Sequence, residues 1–359
     1  MTLLPLVGHD EERGEILRAI AQDRLPQLIL LTGPAGVGKQ RFGIWVAQAL
    51  LCEAVDRPCG RCRACHQVNG LVHPDLHWII PVPRPKASEP EKQVDELAEA
   101  LGALVNERRQ NPLYGAPDGM AGHFVSTARL LQRRAALTPV QARRKVFLVA
   151  ESDRLVPQEA SQEAANALLK LLEEPPADCQ FLLTVVDTNT LLPTIRSRAV
   201  PLRLRRLSDQ QVESFLREHA GLAGAELKNR AARSGGSIGK ALEGESDNRA
   251  ARAADDLLRA VLGGPAQQAE RALKQGAWAA RGEFTAMLDA LSESLAEGAR
   301  HAAGSPTRGP LPEVLRTPRP VEALVVAQTR VLAAREAAQL NVNPQLVLAV
   351  LAQELAEVL

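Results

Sequence analysis

The stretch "QLILLTGPAGVGKQ" (residues 27–40) sets the fold expectation, because a short apolar run ends in a glycine-rich loop and a helical pattern follows. Gly33, Gly38 and Lys39 fit the phosphate-loop pattern G-x-x-x-x-G-K-[ST], in which backbone amides and the lysine hold phosphates. Gln40 stands where the pattern requires the hydroxyl that ligates Mg²⁺. A glutamine oxygen can bind a cation, but its greater length displaces the ion from octahedral geometry. This nucleotide loop is therefore degenerate, and the residues leave open whether ATP or ADP binds at Lys39.

A second apolar stretch, "KVFLVAES" (residues 145–152), weakens the case for hydrolysis further. A strand that holds magnesium in such enzymes ends in an aspartate. Here Ala150 takes that place and Glu151 follows it. Two separate defects in one metal site argue against efficient ATP turnover.

The order of the remaining patterns predicts an α/β module followed by helical units. Buried strands such as "CQFLLTVVD" alternate with amphipathic helices such as "SQEAANALLKLLEE", which indicates a parallel sheet covered by helices. Segments rich in proline, glycine and charge bracket a surface helix, and they mark residues 83–122 as an insertion. Strand signals end near residue 206. Helical patterns then define one unit at 207–246 and another at 247–359.

Four cysteines within fourteen positions predict a metal site. Cys52, Cys59, Cys62 and Cys65 have the spacing C-x6-C-x2-C-x2-C. The two C-x2-C steps let three thiolates converge from one tight turn, and Cys52, at the end of the preceding helix, can complete a tetrahedron. Four sulfur ligands leave no place for water, so we expect structural Zn²⁺ within a module at 52–65. His66 and His73 remain alternatives to one of the cysteines.

Composition excludes several classes of protein. Lys and Arg (43) balance Asp and Glu (42), and the chain has six Phe, three Trp and one Tyr. A neutral chain with few aromatic residues is a poor candidate for coating nucleic acid by itself. The N-terminus lacks a secretory pattern and no apolar run has membrane-spanning length, so we expect a cytoplasmic protein without membrane contact.

Several stretches together resemble the delta-prime family of bacterial DNA polymerase III clamp-loader subunits, in the AAA+ class. They are "LVGHDEERGEILRAIAQDRLPQLILLTGPAGVGK", "HPDLHWI", "ANALLKLLEEPP", "LLPTIRSRA" and "LNVNPQLVLAVL". The resemblance implies an AAA+ α/β domain at 1–206 that carries the zinc module, a small helical lid at 207–246, and a helical collar at 247–359. In the family the collar packs into a five-subunit ring.

The resemblance also implies an activity that is shared among subunits. In the family, gamma/tau-type motor subunits and a delta-type subunit form a hetero-pentamer with the delta-prime subunit. The assembly opens a sliding clamp and loads it onto primed DNA during replication. The delta-prime subunit is the stator: it belongs to a nucleotidyltransferase complex, but we expect no ATPase turnover of its own.

The stator of this family donates an arginine to the ATP of the adjacent motor subunit. The Ser-Arg-Cys motif that carries this arginine falls on Ser197, Arg198 and Ala199, with a small residue in place of the cysteine. Arg198 is thus the predicted arginine finger, acting in trans. Arg196, two residues earlier, is the alternative donor.

Other departures from the motor pattern favour the stator. Val185 and Val186 replace polar residues before Asp187, and Gly239 stands where motors carry an arginine in the lid. The alternative is a self-sufficient AAA+ motor that tolerates Gln40. A stand-alone zinc-containing DNA-binding module is a third hypothesis, which the neutral charge disfavours.

Overall fold

The structure is a computed structural model. It describes residues 3–111, 121–155, 168–242, 249–275, 281–307, 311–317, 319–339 and 342–359. The described residues form two compact units. The first contains residues 3–223 and 236–242, and the second contains residues 224–235 and those from 249 onward, each with the gaps given above.

A five-stranded sheet forms the centre of the first unit. Its strands are β1 (Leu28–Thr32), β2 (Leu76–Ile79), β5 (Lys145–Val149), β6 (Cys179–Val185) and β7 (Val200–Arg203), in the order β2-β5-β6-β1-β7. Every pairing is parallel. The prediction of a parallel α/β core is therefore confirmed.

Every residue of β1, β5 and β6 is buried, because helices pack against the sheet. A sheet covered on both faces needs apolar side chains pointing both ways, which explains the continuous apolar runs. The described helices of the first unit, apart from the short helix Ile238–Leu242 treated below, are α1 (Asp10–Ala21), α2 (Lys39–Leu51), α3 (Arg63–Asn69), α4 (Pro90–Gln110), α5 (Val125–Ala135), α6 (Pro193–Arg196) and α7 (Asp209–His219). Residues 168–173 are also helical and end before Pro175 and Pro176; the rest of the predicted helix, 161–167, lies outside the described residues.

The segment predicted as an insertion has paired ends. β3 (Val82–Pro83) and β4 (Ala121–Gly122) form a two-stranded antiparallel ribbon, with Val82 opposite Gly122. Between them, α4 covers the helical stretch expected there, and it buries Val94, Leu97 and Leu101 on one face. That the segment is an insertion stays a prediction, and residues 112–120 lie outside the described part.

Within its described residues, the second unit contains helices and no strands. It contains α8 (Gly224–Ser234), α10 (Arg249–Leu262), α11 (Pro265–Leu273), α12 (Arg281–Ala302), α13 (Val321–Gln339) and α14 (Pro344–Val358). Leucines from α10, α12 and α14, among them Leu258, Leu291 and Leu351, share one core. A short helix, α9 (Ile238–Leu242), belongs to the first unit. The predicted limits of a lid and a collar, and their roles, remain predictions.

Across the described ranges, no helix combines the length and the apolar content that crossing a bilayer requires.

Candidate functional sites

The glycine-rich loop joins β1 to α2, as the sequence predicted. Gly33 has φ 143°, and a Cβ atom there would lie 2.3 Å from the carbonyl oxygen of Leu204. Only glycine fits this combination of conformation and close approach. Gly38 precedes the first turn of α2 with φ 96°, so Lys39 becomes the first helical residue.

Lys39 is engaged by its own loop. Its Nζ atom donates hydrogen bonds to the carbonyl oxygens of Gly33 and Pro34, both at 2.7 Å. Burial lowers the pKa of Lys39 to about 8, although the carboxylates of Asp153 and Glu151 act in the opposite direction. The lysine that would bind phosphates therefore contacts two carbonyl groups of its own loop.

Gln40 connects the loop to two other elements. Its Nε2 atom donates to Oε1 of Glu151 at 3.4 Å, and its Oε1 atom accepts from Nη1 of Arg108 at 3.2 Å. The guanidinium of Arg108 lies 4.7 Å from the ring centre of Trp78, and the residue is only 4% exposed. The glutamine thus joins a carboxylate to a buried cation, beside the position where a hydroxyl would ligate magnesium.

Arg108 is a residue of this site that the sequence analysis missed. It belongs to α4, in the segment predicted to lie on the surface, yet it follows the buried face of that helix two turns after Leu101. An arginine at a core-facing helical position was the available signal. Its contact with Gln40 depends on the fold and could not be read from the sequence.

Glu151 is held from two further sides. Its backbone adopts φ 50°, its amide donates to Oγ1 of Thr184 at 2.9 Å, and its carboxylate pairs with Nε of Arg154 at 2.8 Å. A left-handed conformation at a residue other than glycine costs energy, and these contacts fix it. Thr184, on the neighbouring strand, was also not identified from the sequence.

A histidine contacts the backbone at the position where the aspartate is missing. Ala150 is fully buried, and its carbonyl oxygen accepts a hydrogen bond from Nε2 of His123 at 2.7 Å. The alanine side chain offers no oxygen ligand for a metal ion. The carboxylate nearest in sequence is that of Glu151, which Gln40 and Arg154 already engage.

The helix α9 lies directly on the loop. The amide of Gly239 donates to the carbonyl oxygen of Gly36 at 3.2 Å, and a Cβ atom at Gly239 would lie 3.0 Å from Cα of Gly36. An arginine at position 239 would require the two backbones to separate. Val185 is buried, whereas Val186 is exposed.

Acid should destabilise the first unit through His123. Burial lowers the pKa of this imidazole to about 4, while in the unfolded chain it is about 6.5. Between these values the unfolded state binds more protons, so the contribution of His123 to stability is complete above pH 6.5 and falls by about 3 kcal/mol as the pH drops to 4. Burial also lowers the pKa of His77 to about 4, so that residue adds a loss of its own in the same pH range. We expect His123→Gln, which retains a donor for Ala150, to reduce the loss of stability between pH 6.5 and 4.5 in urea titrations. His219→Gln is the control, and an equal reduction in both variants would contradict this origin.

The four cysteines converge as predicted. Their sulfur atoms all lie within 4.8 Å of one another, with Cys52 and Cys62 separated by 3.9 Å and Cys59 and Cys65 by 4.0 Å. A tetrahedral site with metal–sulfur bonds of about 2.3 Å has sulfur–sulfur edges of about 3.8 Å. The residues therefore fit a metal ion bound by four cysteines. Neither His66 nor His73 belongs to this group. Instead, Nδ1 of His73 accepts from the amide of Asp75.

Backbone amides surround the sulfur atoms. Sγ of Cys52 accepts from the amides of Ala54 and Cys59, both at 3.4 Å, and Sγ of Cys59 accepts from the amide of Cys62 at 3.3 Å. Hydrogen bonds from the amides of Arg61 and Cys62 lower the pKa of Cys59 to about 6, whereas burial raises the pKa of Cys65. Cys179, by contrast, is a buried core residue outside this cluster.

Arg198 lies just beyond the end of α6 and is 39% exposed. Its Nη1 atom donates to the carbonyl oxygen of Thr194 at 2.9 Å, and its Nη2 atom pairs with Oε1 of Glu173 at 2.8 Å. Ser197 donates its hydroxyl to the same carbonyl at 3.1 Å.

The neighbours of Arg198 have different surroundings. Arg196 donates from Nη1 to Oδ1 of Asn189 at 3.1 Å, so the two arginines have separate partners. Ala199 is buried in the core of the first unit, where a small residue fits in place of the cysteine of the family motif.

Comparison with known proteins places the chain in a family. Residues 9–208, more than half of the chain, match the family described as "DNA polymerase III, delta subunit". The chain belongs to this family. It is similar to the delta' subunits of DNA polymerase III from Bacillus subtilis, with 25% identity over 61% of this chain and 56% of that protein, and from Pseudomonas aeruginosa, with 34% identity over 48% and 40%. The family resemblance inferred from the sequence is thereby confirmed.

Similarity extends beyond the delta' subunits. The gamma subunit of DNA polymerase III from Buchnera aphidicola subsp. Schizaphis graminum is 30% identical over 52% of this chain and 40% of that protein. The chain spans about half the length of the curated relatives it matches.

Proposed function

We propose that this protein is a non-motor subunit of the DNA polymerase III clamp loader and donates Arg198 in trans to the ATP of a neighbouring motor subunit. The observation that carries the proposal is a contrast between two sites. Lys39, Gln40 and Glu151 are buried or half-buried and engaged by groups of their own chain, whereas the Arg198 side chain, although paired with Glu173, is 39% exposed. A guanidinium remains charged at every relevant pH, so it can neutralise charge that develops on a transferred phosphoryl group.

The contacts at the loop support a subunit that does not turn over ATP itself. Nucleotide would have to displace Lys39 from two carbonyl groups and separate Gly36 from Gly239. Magnesium would have to compete with the guanidinium of Arg108 for the oxygen of Gln40. Each step costs energy, so we expect weak binding of ATP or ADP.

We also propose that the cysteine cluster holds structural Zn²⁺. Cys52, at the end of α2, and Cys62, which precedes α3, would be joined through the metal together with Cys59 and Cys65. Zinc bound by four thiolates stabilises a small loop-rich segment and offers no open position for catalysis.

The proposed partners follow from the family. They are gamma/tau-type motors and a delta-type subunit in a hetero-pentamer, which acts on a sliding clamp and primed DNA. The alternative is a self-sufficient motor. This alternative is supported by Gly33, Gly38 and Lys39, which fit the phosphate-loop pattern, and by the similarity to a gamma subunit.

Turnover by the purified chain separates the two functions. We expect the chain alone to hydrolyse ATP far more slowly than about 1 s⁻¹, the lower end of ordinary enzyme rates. Mixed with motor and delta-type subunits, clamp and primed DNA, it should raise turnover above that of the mixture lacking it. Steady hydrolysis by the chain alone, abolished in Lys39→Ala, would favour the motor instead.

A further inference from the structure

The ion pair between Arg198 and Glu173 involves the group that the proposed function requires. Glu173 belongs to the helical residues that end before Pro175, whereas Arg198 follows α6. We propose that Glu173 is a latch, a carboxylate that holds Arg198 within its own chain until the phosphate of a neighbour's ATP displaces it. This inference rests on the proposed function and adds a second residue to it.

Among the described residues, the Arg198 side chain has three contacts within its own chain, and docking would demand different things of them. Thr194 and the adjacent Ser197 contact Nη1, whereas Glu173 contacts Nη2. The carbonyl of Thr194 lies four residues earlier in the same turn, so it can keep its hydrogen bond to Nη1 while the guanidinium faces outward. The carboxylate of Glu173 comes from another element and occupies Nη2 at 2.8 Å. A guanidinium that binds a phosphate through a pair of N–H groups needs that edge free. Only the contact with Glu173 has to be given up.

Charge gives the direction of the effect. While the pair is intact, the charges of the guanidinium and the carboxylate cancel, and the carboxylate repels the phosphate that the arginine would approach. The two side chains are 39% and 40% exposed, so the pair is weak enough to be broken by a more highly charged partner. Glu173 therefore slows donation without preventing it.

Glu174 provides a matched control on the same helix end. It is an exposed glutamate next to Glu173, and within the described part of the chain it forms no ion pair. Glu173→Gln and Glu174→Gln remove the same charge one residue apart. Only the first removes the contact with Arg198.

The test is ATP turnover by the complete complex reconstituted with each variant, without clamp or DNA and with both. Without clamp and DNA, we expect Glu173→Gln to raise turnover at the adjoining motor site about three-fold, the scale of an exposed ion pair, and to raise the turnover of the complex by that site's share. Glu174→Gln should leave kcat unchanged, and Glu173→Asp, which keeps the charge on a shorter side chain, should give a smaller rise. Because Glu173 acts through Arg198, the rise should vanish in the double variant Glu173→Gln with Arg198→Ala.

Other outcomes distinguish a failure of the latch proposal from a failure of the proposed arginine donation. If Glu173→Gln lowers kcat, the carboxylate positions the arginine and the latch is wrong; an unchanged kcat refutes it equally. If Arg198→Ala alone leaves turnover unaltered, the proposed arginine donation itself fails. Thermal melts of each isolated variant establish that the substitutions leave the fold intact.

Discussion

Replacing Arg198 with alanine should reduce ATP turnover at the adjoining motor site about 10³-fold, because arginines donated to a phosphoryl-transfer site contribute at least that factor. The variant should fold and assemble normally, since its ion pair with Glu173 is exposed and contributes about 1 kcal/mol or less. The measurement is clamp- and DNA-stimulated hydrolysis by the complete complex. Total turnover should fall by the share of the one site that this chain serves.

Arg196→Ala is the control for that experiment. It removes the same charge two residues away, where the side chain contacts Asn189 instead of Glu173. We expect it to retain nearly full turnover. If Arg196→Ala is the damaging variant and Arg198→Ala is not, the assignment passes to Arg196. If neither variant alters hydrolysis, donation from this segment is wrong.

Loss of one cysteine ligand should release the metal and unfold the segment between α2 and α3. Structural zinc sites contribute about 10 kcal/mol or more of binding energy in small domains, and part of it stabilises the surrounding chain. Cys59→Ser suits the test because this cysteine is not fully buried, so little packing is lost. We expect loss of one zinc equivalent by elemental analysis and faster amide exchange at residues 52–70.

Cys179→Ala is the matched variant for the metal site. It removes a thiol from the core without touching the cluster, so it should keep its zinc and its exchange pattern at 52–70. A wild-type protein that loses zinc to a chelator with no change in amide exchange would contradict a structural role. Preparations that contain no metal at all would contradict the site.

Patterns local in sequence predicted the features that depend on local chemistry. The apolar runs of β1, β5 and β6 required burial on both faces, and the close spacing of the cysteines brought their sulfur atoms together. The glycine loop took its expected place between β1 and α2. In each case the residues that determine the structure are neighbours along the chain.

Contacts between distant segments were not predictable in this way. Arg108 is 68 residues from Gln40 in sequence, and no local pattern relates a helix on a surface segment to the end of a phosphate loop. Thr184 and Glu173 were likewise inconspicuous, because a threonine in a strand and a glutamate at a helix end have ordinary local explanations. Their roles depend on which strands and helices become adjacent.

The ribbon of β3 and β4 brings residues 83 and 121 side by side, so the chain leaves and re-enters the domain at one point. Such a segment resembles a cassette with adjacent ends, although its helix α4 packs Val94, Leu97 and Leu101 into the core of the first unit. Arg108 ties that cassette to Gln40, however, and its removal would deprive both the glutamine and the indole of Trp78 of a buried neighbour. An engineer who trims the cassette should therefore replace Gln40 in the same step.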